Sequence, residues 1–387
     1  MLGSLIALGP LTIDMYLPAF PALADELNAS DSAVQLTLTG MLVGLAVGQL
    51  VIGPLSDALG RRRPLLTGLA VHVVASLLCA LAPNIYVLSA VRVLQGFAGA
   101  AISVVALATV RDLFTGVAVA RTMSRLMLVI GLAPIVAPSI GGFILQVTDW
   151  RGIFVVLAAA ALVLMGVAFF GLRETLPVER RRSARPGATL RTYRSLLADR
   201  TFVALVLVAG LVFSSLFVYV AGASFVLQGV YGLDARAFGI VFGVNSIALT
   251  LASQTNPALI RRFGPVNVLT SSILVSIGAA VALVVAGLVD GPLVSVLVPL
   301  MVVLAMAGLA MPNTPALALT RHGEAAGTAA AMLGCVQFGV GAGIAPLVGL
   351  LGSSAAAMGA VMLVVTVLAA ALMIAVVRRD PTVHAVR

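Results

Sequence analysis

The sequence predicts an all-α membrane protein of twelve transmembrane helices in two six-helix halves. Three observations carry that reading. The 387 residues are 61% hydrophobic and only 10% charged, more apolar surface than a water-soluble core can hide, so lipid must solvate it. The chain resolves into about twelve apolar runs of membrane-crossing length, each bounded by charged, proline-rich or glycine-rich breaks. After the sixth run, residues 173–200 interrupt the pattern with eight arginines plus Pro177, Pro186 and Gly187.

The expected spans are 2–20, 33–56, 65–82, 86–110, 123–146, 152–171, 201–226, 237–258, 266–288, 292–313, 326–349 and 354–377. Hydrocarbon offers no water to backbone groups, so runs of this length should be helices. Residues 1–172 then form the N-terminal half, 173–200 a linker and 201–387 the C-terminal half. Within the linker Leu190, Tyr193 and Leu197 recur at i, i+3 and i+7 among arginines. That stretch is either a short amphipathic helix on the bilayer surface or a disordered connection. The first run has no basic leader and no A-x-A-like site, so it is expected to be kept as the first span. It begins almost at Met1, as though a short head before it were missing.

All 23 basic residues are arginine, and their placement excludes a nucleic-acid partner. On the twelve-span scheme 20 lie on the face shared by both termini: Arg61 to Arg63, Arg111, Arg121, Arg125, the linker arginines, Arg261, Arg262, Arg321, Arg378, Arg379 and Arg387. Only Arg151 and Arg236 fall on the other face, and Arg92 falls inside a span. This is the positive-inside bias, which places both termini in the cytoplasm. The absence of lysine fits a GC-rich bacterial genome, and so a bacterial inner membrane. Cys79 and Cys335 sit in separate spans and read as packing residues, with neither a disulfide framework nor a metal site. His72, alone in the third span, is expected to pack or to bond a backbone carbonyl. No metal-ligand cluster, phosphate loop or nucleophile triad is present in the sequence. An enzyme is therefore not expected, nor a cofactor, and the chain is expected to act as a monomer.

Four motifs carry a family resemblance. Gly53 to Leu65 reads GPLSDALGRRRPL and is similar to the G-x-L-x-D-R-x-G-R-[RK]-x-x-L loop between helices two and three of major facilitator superfamily transporters. Only Ala58 departs, where an arginine is usual. The fourth span carries Arg92-Val-Leu-Gln95-Gly96-Phe-Ala-Gly99-Ala-Ala, resembling R-x-x-Q-G-x-x-[AG]-A of the same transporters. Gly131, Pro134, Ala137, Pro138, Gly141 and Gly142 in the fifth span resemble the G-P-x-x-G-G motif of its drug exporters, with Ala137 in place of the first glycine. Leu11 to Pro21, LTIDMYLPAFP, resembles the D-M-Y-L-P-A-x-P signature of the Bcr/CflA drug-resistance transporters, the bicyclomycin and chloramphenicol exporters. The likeness covers the first half in order. The second half matches in architecture, with Arg261, Arg262, Phe263 and Gly264 a weak echo of the first loop.

The resemblance implies two related halves around a central cavity and a proton-coupled exporter of small lipophilic compounds working by alternating access, energised by the proton gradient. It implies a cytoplasmic gate at Gly53, Asp57, Gly60, Arg61, Arg62 and Arg63; Asp57, just after the second span, could accept hydrogen bonds from a neighbouring helix N-terminus in the outward-facing state. A lost helix hydrogen bond coincides with a tight helix contact at Pro138, Gly141 and Gly142, which suits a hinge for rocking the halves, a static packing kink being the alternative.

Asp14 is the one acid placed inside a span, and a carboxyl at that depth is a functional hypothesis by default. Asp14 and Arg92 each lie six residues from the outer ends of their spans, roughly 9 Å at about 1.5 Å per residue, and are expected to pair as the proton-coupling site. A permanent structural ion pair, or an Arg92 that snorkels outward, are the alternatives. Gln35, Thr39, Gln49, Gln95, Tyr219, Asn245, Gln254, Asn313 and Gln337, with Tyr16, Phe213 and Phe217, could line a largely apolar cavity, although each alone could equally be an interhelical hydrogen-bond partner. Two other functions stay open: a transporter of this fold for a metabolite such as an amino acid, sugar or dipeptide, and a membrane sensor that moves nothing.

Overall fold

A computed structural model describes residues 1–181, 186–320, 325–377 and 380. Among the described residues 12 helices are long and apolar enough to cross a membrane, and no strand occurs. The helices are α1 (Leu2–Asp14), α2 (Phe20–Glu26), α3 (Asp31–Leu59), α4 (Arg62–Ala80), α5 (Ile85–Leu113), α6 (Val117–Ile144), α7 (Trp150–Gly171), α8 (Pro186–Ala198), α9 (Arg200–Ser224), α10 (Ala235–Phe263), α11 (Pro265–Leu288), α12 (Leu293–Thr320), α13 (Ala326–Ile344), α14 (Leu347–Leu350) and α15 (Ala355–Ala375). Exposed faces carry Val43, Val47, Val51, Leu162, Val163, Phe170, Leu274 and Val364, an apolar coat that only lipid can satisfy. The chain is a multi-pass membrane protein.

The spans follow the apolar runs, with instructive departures. The first, expected to stop near residue 20, runs to Glu26 and is broken after Asp14. Pro18 and Pro21 have no N–H to continue the ladder, so the chain passes through a 3₁₀ turn at Leu17–Ala19 before α2. This break leaves a helix C-terminus inside the bundle. The seventh span ends in a π-helical turn, Phe225–Val230, where the Tyr231 N–H bonds the Val226 carbonyl at 3.1 Å.

The chain divides into two compact units, Met1–Pro186 with Asp234–Gly243, and Gly187–Leu233 with Val244–Arg387. In the first, α5 runs along α3, α4 packs on α5 and α7, and α1 packs on α6. A Cβ on Gly44 would lie 2.0 Å from the Val93 carbonyl oxygen, and one on Gly96 would lie 2.0 Å from that of Met41. Glycine at these positions is what lets the α3 and α5 backbones touch. Leu5, Leu69, Ile102 and Val105 form part of the core beside that seam. In the second unit α9 is packed by α12, α13 and α15 around Phe202, Leu205, Leu269 and Met373.

The linker differs from its expectation. Pro186–Ala198 is helical, but its apolar side docks on protein instead of the bilayer: Leu196 is buried in the second unit's core, Tyr193 packs against it, and Leu197 is 59% exposed. An i, i+3 pair suffices for a helix one turn deep in a neighbour. The side chain of Leu190, residues 182–185, and Arg321, Arg378, Arg379 and Arg387 lie outside the described residues.

Candidate functional site

Arg92 is fully buried on α5, and it is not paired with Asp14. Its Nη1 donates to the Thr12 carbonyl at 3.2 Å and to Gln95 Oε1 at 2.6 Å. Its guanidinium carbon lies 4.4 Å from the centre of the Tyr16 ring and 5.7 Å from that of Phe154. Thr12 is in the last turn of α1, where carbonyls lack helical partners and carry the negative end of the dipole. The break at Pro18 and Pro21 thus creates the acceptor that the arginine uses. Helix terminus and aromatic faces together are worth about 2–4 kcal/mol, against several kcal/mol for burying the ion. Nε and Nη2 have no hydrogen-bond partner among the described residues.

The expected Asp14–Arg92 pair fails on direction, not depth. Thr12 and Tyr16 are four residues apart and share the face turned to α5. Asp14 is two residues from Thr12, about 200° round the helix at 3.6 residues per turn. Asp14 is buried, 4% exposed, and no hydrogen bond or ion pair among the described residues engages its carboxyl. Arg92 does not snorkel either.

A closed ring of side chains surrounds the arginine. Gln95 Nε2 donates to Ser76 Oγ at 2.8 Å, Ser76 Oγ lies 3.3 Å from His72 Nδ1, and His72 Nε2 lies 3.1 Å from Thr12 Oγ1. Sequence reading left His72 alone. It is instead bonded at both ring nitrogens, by residues on α1 and on its own helix α4. Tyr16 Oη donates to Thr37 Oγ1 at 2.7 Å, because the Thr37 hydrogen is committed to the Val34 carbonyl at 2.6 Å. Of the other cavity candidates in this unit, Gln35 is buried and Thr39 and Gln49 are half-buried. In the second unit Phe213 lies 5.1 Å from Phe217 and 5.4 Å from Phe338, ring centre to ring centre. Asn245 Nδ2 donates to Tyr219 Oη at 3.0 Å, and Asn313 exchanges hydrogen bonds with Asn256 at 2.9 and 3.3 Å. Gln337 is half-buried and Gln254 exposed. Phe338 and Asn256 went unread because neither stood out from its apolar run.

Residues 53–65 build a second cluster, and the expected loop is helical through Leu59 and again from Arg62, with only Gly60 and Arg61 between. Arg61 is buried, with Nη1 on Asp57 Oδ1 at 2.6 Å and Ser56 Oγ at 2.8 Å, and Nε on Asp112 Oδ2 at 2.8 Å. Asp57, in the last turn of α3, therefore pairs with Arg61 four residues further on. The acid at a helix N-terminus is Glu174, which accepts from the Arg61 and Arg62 N–H groups at 2.8 and 3.3 Å and from Thr175 and Leu176, each at 3.0 Å. Arg62 reaches the other way, donating to the Phe169 carbonyl at 2.7 Å in the last turn of α7 and to the Leu172 carbonyl at 3.0 Å just past its end. Arg63 is exposed. Gly60 has φ +89°, and a Cβ there would sit 2.4 Å from Glu174 Oε2, so two constraints require glycine. Gly53 has open space around its Cβ position.

Partial burial works against ionised Glu174, but four backbone N–H donors outweigh it and hold its carboxyl below the usual value. Glu174→Ala is expected to cost about 1–2 kcal/mol of stability through the lost cap. A group depressed on folding stabilises above its unfolded range and loses that advantage as pH falls through its folded value. Thermal unfolding in detergent should therefore separate wild type from Glu174→Ala at neutral pH and bring them together in acid. A constant gap across that range would assign the effect to packing.

In α6, Pro134 and Pro138 interrupt the helix ladder. A Cβ on Gly141 would lie 1.8 Å from the Met15 carbonyl oxygen, and one on Gly142 would lie 2.8 Å from that of Ala235. Gly141 thus seats α6 directly on the break in the first span.

The major facilitator superfamily profile matches residues 2–346. The chain belongs to the major facilitator superfamily. Its fold is that of the superfamily's transporters: it superposes on a bacterial homologue of the human lysosomal transporter Spinster with a TM-score of 0.77 at 16% identity, covering 99% of this chain and 96% of the other. It also superposes on the xylose transporter XylE from E. coli with a TM-score of 0.72 at 14% identity, covering 97% of each. Among curated sequences it is 40% identical to the uncharacterized MFS-type transporter YdgK of Bacillus subtilis, covering 95% of this chain and 92% of that one. It is 33% identical to the bicyclomycin resistance protein homolog of Haemophilus influenzae (90% and 87% covered), and 27% identical to the multidrug resistance protein MdtL of Escherichia fergusonii (73% and 71% covered). These relatives bear out the Bcr/CflA-type resemblance seen in the first span. Within this major facilitator chain, Asp112, Glu174 and His72 join the motif residues in contacts that the motifs alone did not name.

Proposed function

We propose that this protein exports small lipophilic compounds in exchange for protons by alternating access, from a bacterial inner membrane with both termini in the cytoplasm. The observation that carries the reading is the pair of unfinished groups in the first unit: a buried Asp14 with no hydrogen-bond or ion-pair partner among the described residues, and a buried Arg92 whose Nε and Nη2 make no hydrogen bond among them. An unpaired charge at membrane depth is costly, so Asp14 is best accommodated here as the carboxylic acid. A turn of α1 about its break would bring the carboxylate within reach of Arg92 Nε and Nη2, and the proton would leave in that step. Drug resistance in the names of two relatives supports the substrate class. Export of the compound and import of the proton then compete for one conformational cycle.

In this scheme the Asp57–Arg61–Asp112 cluster, with Arg62 and Glu174, is the cytoplasmic gate, and Pro138, Gly141 and Gly142 are the hinge. Tyr16, Gln35, Thr39 and Gln95 in the first unit, and Phe213, Phe217, Tyr219, Asn245, Asn313 and Gln337 in the second, are the candidate substrate contacts. Expression in a strain lacking its own efflux pumps tests the substrate class. Resistance to bicyclomycin or chloramphenicol should rise with the wild-type chain. An unchanged profile, with release of an amino acid, sugar or dipeptide instead, would turn the reading toward metabolite transport. A single cysteine at Asp234 that labels only from outside checks the orientation.

A further inference from the structure

Counting donors fixes more of the Arg92 ring than its distances do. Thr12 Oγ1 has one hydrogen, given to the Leu8 carbonyl at 2.6 Å, so toward His72 Nε2 it can only accept. Arginine offers donors alone, so Gln95 must present Oε1 to it and turn its amide nitrogen to Ser76. Ser76, accepting there, keeps its own hydrogen for His72 Nδ1. His72 is therefore neutral, with its hydrogen on Nε2, and both of its nitrogens are used. The Thr12 carbonyl, accepting from Arg92, closes the circuit across α1, α4 and α5. Thr12, His72, Ser76, Arg92 and Gln95 are all buried, so no water substitutes for a lost link.

We propose that His72 is a positioning residue for Arg92: it closes the hydrogen-bond ring that parks the guanidinium on the Thr12 and Tyr16 face of the first span, away from Asp14. Movement of Arg92 toward Asp14 must open this ring; without it the guanidinium pairs with Asp14 before substrate arrives and the proton leaves unproductively, so loss of the ring uncouples the cycle. The inference rests on the reading of Asp14 and Arg92 as the proton-coupling pair. His72→Leu removes both links. His72→Gln keeps a donor near the place of Nε2 and an acceptor beside it. Ser76→Ala enters the same ring from the other side with little change in volume.

The test uses the full chain in proteoliposomes, with bicyclomycin as probe, measuring accumulation driven by a pH gradient and binding without one. His72→Leu and Ser76→Ala each remove two ring links and should each reduce driven accumulation by at least about tenfold, the factor a single buried hydrogen bond represents, while gradient-free binding persists. His72→Gln should recover most of the loss. In an Arg92→Ala background neither change should reduce accumulation further, because both act through Arg92. Losses that multiply in the double variants, or a His72→Leu protein that accumulates the probe like wild type, overturn the proposal. Should His72→Leu fail to fold, Ser76→Ala decides the same question. Arg92→Ala with full accumulation by itself would overturn the coupling reading and the proposal with it.

Discussion

Asp14→Asn is expected to abolish export driven by a pH gradient while the protein still folds and binds a neutral substrate. The substitution keeps shape and hydrogen-bonding capacity and removes only the titration. Nothing in the structure makes Asp14 necessary for stability: its carboxyl engages no hydrogen bond or ion pair among the described residues, whereas breaking a buried ion pair would cost about 3–5 kcal/mol. Resistance in a pump-deficient strain should fall to the empty-vector level, with unchanged amounts of protein in the membrane. Downhill equilibration of the same compound should survive. Wild-type resistance from Asp14→Asn would remove Asp14 as the proton carrier and leave a facilitator, or a different proton path.

Gly96→Val is expected to prevent folding altogether. A Cβ at Gly96 falls 2.0 Å from the Met41 carbonyl oxygen, backbone against backbone, and no rotamer relieves it. The α3–α5 seam would have to open, and Gly44, facing the Val93 carbonyl across the same seam, would lose its contact too. The cost exceeds the roughly 4–5 kcal/mol that marks an exceptional single substitution. Gly99→Ala makes the control, since a Cβ there meets only Leu45 Cδ2 at 3.7 Å, an ordinary contact. Size-exclusion chromatography in detergent should show a single folded species for Gly99→Ala and aggregate for Gly96→Val. A monodisperse Gly96→Val protein would mean that the seam adjusts more easily than its geometry allows.

The spans were legible because hydrocarbon imposes one rule on every backbone group, and apolar runs report it directly. The break after Asp14 was present in Pro18 and Pro21, yet it was read as the end of a span and not as an internal helix terminus. That terminus is what Arg92 binds. Counting residues from the membrane surface gives depth and no azimuth, so Asp14 and Arg92 looked like partners when Asp14 points about 200° away from Thr12. His72 and Thr12 lie 60 positions apart, a pairing that one sequence does not encode locally. Glu174 had a usable signal: α4 starts at Arg62 behind Gly60 and Arg61, with no Ser, Thr, Asp or Asn to cap it. Its first N–H groups needed an acceptor from elsewhere. Asp112, at the end of α5, is the analogous case for Arg61, a buried cation whose loop supplies only one carboxylate.

If one buried carboxyl couples substrate to proton, substrate binding must displace that proton. Adding bicyclomycin to the purified wild-type protein in lightly buffered detergent solution should release protons, and the same addition to Asp14→Asn should release none although the compound still binds. Binding to the wild type without proton release, or equal release from Asp14→Asn, would contradict it.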